Sequence, residues 1–319
     1  MNTSLFRNGA KTALLALLLT TPHSHTFAEE GFSSVISSAM VGSVESSDPE
    51  GHLISALSNH VDNSVASKMT QWLGNTEVSL RGLLDGKPQF GILNISPWYE
   101  SDNLKDTIFS QASFYNYHGR QTLNAGLGYR RMTDDERWLL GVNAFYDYEF
   151  PYDHRRASIG LEARSSVIEF NANRYLALSS WTAGLGGLNE RALDGYDVEA
   201  GVTMPYMPNA RLYHRQFSWD AVDGIADMKG RTTSFQMQGD FLIPGLTLAV
   251  GATSYDGSRE DNNFLELTYR FTKSKTEVQP LFTNEMYNFV SMRKRRLDRV
   301  RRTNLIIKQF QGRGTISFR

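Results

Sequence analysis

The stretch QTLNAGLGYRRMTDDERWLLGVNAFYDYEFPYDHRRASIGLEAR, residues 121–164, decides the fold class. From Asn124, Ala125, Leu127 and Tyr129 point to one side while Asn124, Gly126, Gly128 and Arg130 point to the other, a period of two that belongs to strands. After the charged turn 133–136 the alternation resumes, with Leu140, Val142, Ala144, Tyr146 and Tyr148 against Gly141, Asn143, Phe145, Asp147 and Glu149. It returns once more as Ala157, Ile159, Leu161 and Ala163 against Ser158, Gly160, Glu162 and Arg164. Each segment has the length of a tilted strand crossing a bilayer, and its apolar face carries tyrosines as an aromatic girdle does. A soluble sandwich also alternates, so the period alone leaves it open. Glycines sharing a face with Asp147, Glu149, Glu162 and Arg164 suit a wet lumen better than an outer surface.

Working outward, the same pattern recurs to give about twelve segments: 76–84, 91–99, 107–115, the three above, 168–176, 196–204, 210–217, 233–242, 246–255 and 263–271. The expectation is an all-β, antiparallel transmembrane barrel spanning 73–271. Asn173, Asp197, Glu199, Asp240, Glu266 and Arg270 join the inward set of Asn124, Arg130, Asn143, Asp147, Glu162 and Arg164. Segment 210–217 fits worst, because Arg211, His214 and Arg215 do not alternate cleanly. Arg174 falls on the apolar face near a strand end, where its charge can snorkel.

The N-terminus carries Arg7 and Lys11, an apolar run over 12–20 and Thr26-Phe27-Ala28, the layout of a secretory signal peptide cut after Ala28. A Ser- and Gly-rich leader follows, and then Leu53, Leu57, Val61, Val65, Met69 and Trp72 recur at helical spacing, so 29–72 reads as a periplasmic leader with a short amphipathic helix. Export followed by barrel strands implies the outer membrane of a Gram-negative cell. Barrel-insertion machinery, periplasmic chaperones and outer-membrane lipid are the partners that this route implies.

Composition narrows the chemistry. The chain has 319 residues, 33 Lys and Arg against 34 Asp and Glu, and no cysteine, so disulfides, thiol nucleophiles and thiolate metal sites are excluded. Neither His-Glu-x-x-His nor Gly-x-Ser-x-Gly occurs, and Asp153-His154 sits in an expected turn, so no catalytic, metal or cofactor constellation emerges. Gly184-Leu185-Gly186-Gly187 reads as a flexible loop because no strand and helix flank it as a phosphate cradle requires.

Several motifs together are similar to the translocator barrel of the intimin and invasin family, the inverse autotransporters. They are Gln111, Asn124-x-Gly126-x-Gly128-x-Arg130, Leu140-Gly141-x-Asn143-Ala144-Phe145-x-Asp147, His154-x-Arg156-x-x-x-Gly160-x-Glu162, Asn173-x-Tyr175, Glu190-Arg191, Gly195-x-Asp197 and Pro205-x-x-Pro208. Beyond the barrel, Arg296-Leu297-Asp298-x-Val300-x-Arg302-x-Asn304-x-Ile306 is similar to the family's linker. The resemblance implies a twelve-stranded barrel that exports its own C-terminal passenger to adhere to host cells or other surfaces. It also makes His154 a structural or lumen-mouth residue. Here 272–319 is too short for the immunoglobulin-like domains of the family, so the expectation is a basic linker with at most a residual passenger.

Between Arg293 and Arg302, seven of ten residues are Lys or Arg. Such a run suits a solvated basic helix, and a nucleic-acid-binding helix looks similar, although export argues against nucleic acid. The sharper expectation is that Arg295, Arg296, Arg299 and Arg302, with Asp298 and Asn304 among them, dock in a lumen lined by carboxylates, and that neutralising the four arginines raises pore conductance. The alternative is a porin-like channel. Trp181, in the long connection 179–193, is the candidate loop contact for a host-cell or surface receptor.

Overall fold

The computed structural model describes residues 75–82, 89–117, 119–239, 245–257, 259–271, 280–311 and 316–317. The signal segment, the amphipathic stripe and Asp240 lie outside these residues.

Twelve strands close into an antiparallel barrel. They are β1 (Thr76–Arg81), β2 (Gln89–Glu100), β3 (Asp106–Tyr117), β4 (Arg120–Met132), β5 (Leu139–Phe150), β6 (His154–Arg164), β7 (Ile168–Ala177), β10 (Asp194–Met204), β11 (Met207–Asp220), β12 (Met228–Gln238), β13 (Leu246–Tyr255) and β14 (Asn262–Phe271). Each pairs with its neighbour in the chain, β7 with β10, and β14 returns to β1 with Glu77 opposite Arg270. Closure matters because it removes the sheet edges that lipid cannot satisfy. Between β7 and β10 the chain forms two short strands, β8 (Thr182–Ala183) and β9 (Asn189–Ala192). The tail adds β15 (Lys308–Phe310) and β16 (Ile316–Ser317), giving a small second sheet in the order β16, β15, β9, β8.

The barrel is apolar outside and polar inside. On β4 to β7, Leu127, Leu140, Val142, Ile159, Leu161 and Phe170 are exposed, whereas Asn124, Arg130, Asp147, Arg156, Glu162 and Arg164 are buried. That inversion is the signature of a barrel whose outer surface meets lipid. No described helix is long and apolar enough to cross a membrane; the crossing is made by strands.

β11 alternates after all. Arg211, Tyr213 and Phe217 are buried inward, and Arg215 reaches the inward carboxylate of Glu199 at 3.0 Å. The irregular reading came from His214, an exposed outward residue that bonds Thr233 of β12 at 2.9 Å and so gives the lipid face a polar member. Arg174 is also outward and is paired with Asp220 at 3.2 Å, at strand ends where charge is tolerated.

The β7–β10 connection is ordered by local pairing rather than a free loop. Gly184 to Gly187 makes a short 3₁₀ turn, and Thr182 pairs with Glu190 across it.

Candidate functional site: a lumen occupied by the tail

After β14 the described chain resumes at 280 on the barrel end that carries the tight turns 165–167 and 205–206. It runs along that rim: Thr283 donates to the carbonyl of Tyr206 at 2.9 Å, and Val290 donates to Ser166 at 3.1 Å. At the β4–β5 turn, Glu136 receives Ser291 at 2.7 Å and Arg293 at 2.5 Å. From there the tail enters the lumen, makes one 3₁₀ turn over Met292–Arg295, and then runs extended to β15 at the opposite end. The expected basic helix is therefore not formed, because the wall replaces the intrahelical partners.

Backbone accounting shows this directly. A buried peptide group needs a partner, and extended residues have none of their own. Arg130 donates to the carbonyls of Arg296 and Asp298, both at 2.7 Å. Arg164 serves the Arg299 carbonyl at 3.0 Å, Asn173 that of Arg301 at 3.0 Å, and Arg156 those of Thr303 and Leu305 at 2.7 and 3.0 Å. Asn124 serves the Asn304 carbonyl at 3.0 Å. In return, Gln111 accepts the Val300 N–H at 2.8 Å and Tyr175 accepts that of Thr303 at 2.7 Å.

Charges match level by level. Arg295 meets Glu169 at 2.5 Å, Arg296 meets Glu100 at 2.5 Å, and Arg299 lies 3.6 and 3.8 Å from Glu77 and Glu266. Arg301 pairs with Glu199, Arg302 with Asp147 at 2.7 Å, and Lys308 with Glu149 at 2.5 Å. Asp298, the carboxylate within the basic run 293–302, takes Arg270 at 2.8 Å. Asp197 accepts Asn173, Tyr175 and Thr303 at 2.7, 2.8 and 2.9 Å. Asn304 donates to Tyr115 at 2.8 Å, and Asn143 is buried beside Gly160 and makes no described bond to the tail.

Three tail side chains add apolar anchors. Met292 packs with Met132 and Leu139 near the entry, Val300 with Leu93, Ile95, Phe109 and Phe145 midway, and Ile307 with Tyr175, Leu193, Phe217, Trp219 and Met228 near the exit. Burial of such a side chain stabilises by about 1.5–3 kcal/mol, whereas a buried ion pair returns little beyond its desolvation cost. The anchors therefore supply most of the net seating energy, and the ion pairs fix the register.

The glycine motif on β4 acquires a cause. A Cβ at Gly128 would collide with the Phe109 ring, and one at Gly126 with the Phe145 ring. Those rings lie flat under guanidinium groups, Arg130 over Phe109 and Arg302 over Phe145, each at 4.4 Å to the centroid.

At the exit, β15 pairs with β9, Gln309 opposite Arg191. Beneath that pairing, Arg120 bridges Glu149 at 2.7 Å and Glu190 at 2.5 Å, and His154 lies 3.3 Å from Glu190. Trp181 stands partly buried just before β8, on the same end of the barrel. Among the described residues, no three or more His, Asp or Glu side chains converge as metal ligands would.

The profile of the inverse autotransporter β-domain matches residues 32–304, barrel and most of the tail together. The chain belongs to that family. The inverse autotransporter adhesin YeeJ of Escherichia coli K12 is 27% identical over 289 residues, covering 86% of this chain. Invasin of Yersinia enterocolitica is 24% identical over 311 residues, covering 90% of this chain. This inverse autotransporter spans only 12% and 34% of the length of those two relatives. A chain solved in work on in-meso crystallization of membrane proteins superposes with a TM-score of 0.62 at 23% identity, over 75% of this chain and 99% of that one, which shows the shared fold.

Membership places the barrel in the bacterial outer membrane. The first and last barrel strands begin and end, at Thr76 and Phe271, on the rim that carries turns 165–167 and 205–206, and the longest connection between barrel strands, 178–193, lies on the other. Outer-membrane barrels keep their longer loops outside, which makes the first rim the periplasmic one and turns the β8–β9 connection outward. Sequence reasoning missed Glu77, Glu169, Arg120, Lys308 and Arg301 as members of the network. Glu77 and Glu169 alternate with apolar neighbours and were legible as inward; their pairing with the tail was not, because no period relates them to it.

Proposed function

We propose that this chain anchors and exports its own C-terminal segment, holding it across the outer membrane so that the exported end is presented at the cell surface for adhesion. The observation that supports this most is the extended tail itself, which runs from the periplasmic rim to the outward sheet with a matched partner at each level. Adhesion enters from the names of the relatives, an adhesin and an invasin, and its target is a host-cell or surface receptor. The partition at 28, 72 and 271 into exported leader, periplasmic segment, barrel and basic linker belongs to the same reading. So do delivery by periplasmic chaperones and the barrel-insertion machinery, and a role with no catalysis, cofactor or nucleic acid.

The test is a small folded epitope domain fused after Arg319. Antibody reaching it on intact cells supports export; antibody reaching it only after permeabilisation removes the proposal.

A further inference from the structure

The tail does not fill the lumen evenly. Its backbone is held by β3 to β7, through Gln111, Asn124, Arg130, Arg156, Arg164 and Asn173. The opposite wall, β12 and β13, presents neutral side chains instead: Thr232, Ser234, Gln236, Thr247 and Thr253. Thr232 and Thr253 satisfy each other at 2.9 Å rather than reaching for the tail.

Between that neutral wall and the tail lie two cavities. One, of about 670 Å³, opens toward the periplasmic rim, where Thr283, Met286 and Ser291 border it. The other, of about 270 Å³, continues toward the outer end past Thr232, Thr253 and Tyr255. Gln236, Arg299 and Arg301 border both, so the cavities abut at those residues. There Arg301 Nη1 donates to Gln236 Oε1 at 3.4 Å, a long bond between two flexible side chains. A polar cavity of either size holds several waters.

We propose that this side track conducts small anions past the seated tail, with the Arg301–Gln236 contact as its neck. The proposal rests on the export reading's central premise, a tail seated across the lumen. The sign follows from the lining: five arginines, Arg81, Arg215, Arg299, Arg301 and Arg302, and two carboxylates, Glu199 and Glu266, border the outer cavity, while the Glu77 and Asp147 partners of Arg299 and Arg302 stand behind that lining. Guanidinium groups stay charged at any working pH, and a low-dielectric wall focuses their field into the track. Rings of Arg are what anion pores use. The neutral hydroxyls and amides across from them solvate an ion without trapping it.

Planar-bilayer recording of the full chain in a chloride salt gradient tests this. The expected result is a small, steady current whose reversal potential lies toward the chloride equilibrium value. Gln236→Ala widens the neck and raises the current several-fold, and Gln236→Trp lowers it several-fold; either variant alone decides if the other fails to fold. A silent bilayer with the tail still protected from protease overturns the side track and leaves the export reading standing. Cation selectivity, or a current indifferent to residue 236, overturns it as well. A large open-pore current from the unaltered chain means an unseated tail and overturns both.

Discussion

Asp147 sits where wall and tail meet, fully buried between Arg156 at 2.8 Å and Arg302 at 2.7 Å. Removing Arg302 leaves the carboxylate with Arg156, but removing the carboxylate leaves two guanidinium groups facing each other without compensation. Breaking a buried pair from one side costs about 3–5 kcal/mol. Asp147→Asn is accordingly expected to lower the thermal unfolding temperature in detergent more than Arg302→Ala does. The reverse order means that Arg302 seats the tail chiefly through Phe145, on which it also stacks. At the periplasmic rim, Glu136 is partly buried, and its hydrogen bonds from Arg293 and then Ser291 hold it down at about 2, below its ordinary 4.5. A lowered carboxyl contributes in full above 4.5 and loses its contribution as pH falls from there through 2. An acid-active protease should cut the 280–291 stretch increasingly over that interval. Glu136→Gln should abolish that pH step, leaving cleavage flat.

At the scale of elements, the three apolar anchors divide the tail into an entry, a middle and an exit. Ile307, buried in one cluster with Tyr175 and Trp219, closes the exit just before β15 adds to β9. Ile307→Ala removes that anchor at a cost of about 2–5 kcal/mol, and hydrogen exchange over Lys308–Phe310 should speed up while β5 stays protected. Equal acceleration in β5 would mean the exit sheet is not an independent unit. Strands of the barrel were legible in the sequence because each side chain alternates between lipid and lumen, as Leu140 to Glu149 does. β11 was harder, since His214 on the lipid side blurs the contrast on which period two depends. β8, β9, β15 and β16 left no trace, because strands of two to four residues show no period, and the pairing that joins them into one sheet, β9 with β15, links residues more than a hundred positions apart. The basic run 293–302 gave its charge but not its conformation. Helix and extended chain offer the same arginines, and only the wall, with Arg130, Arg156 and Arg164 aimed at tail carbonyls, selects the extended form.

On the scale of the whole molecule, one direction of threading joins all of this. The tail passes Glu136 at the periplasmic rim, crosses the lumen between a charged wall and a neutral one, and joins the outward sheet at β9. The native chain has no cysteine, so a single introduced thiol reports its own position without background. Asn284→Cys marks the entry and Gln311→Cys the exit, both at exposed positions. On intact cells, a membrane-impermeant maleimide should label residue 311 and spare residue 284 until the outer membrane is permeabilised. Labelling of 284 with 311 protected, or protection of both until permeabilisation, would contradict a tail threaded outward through the barrel.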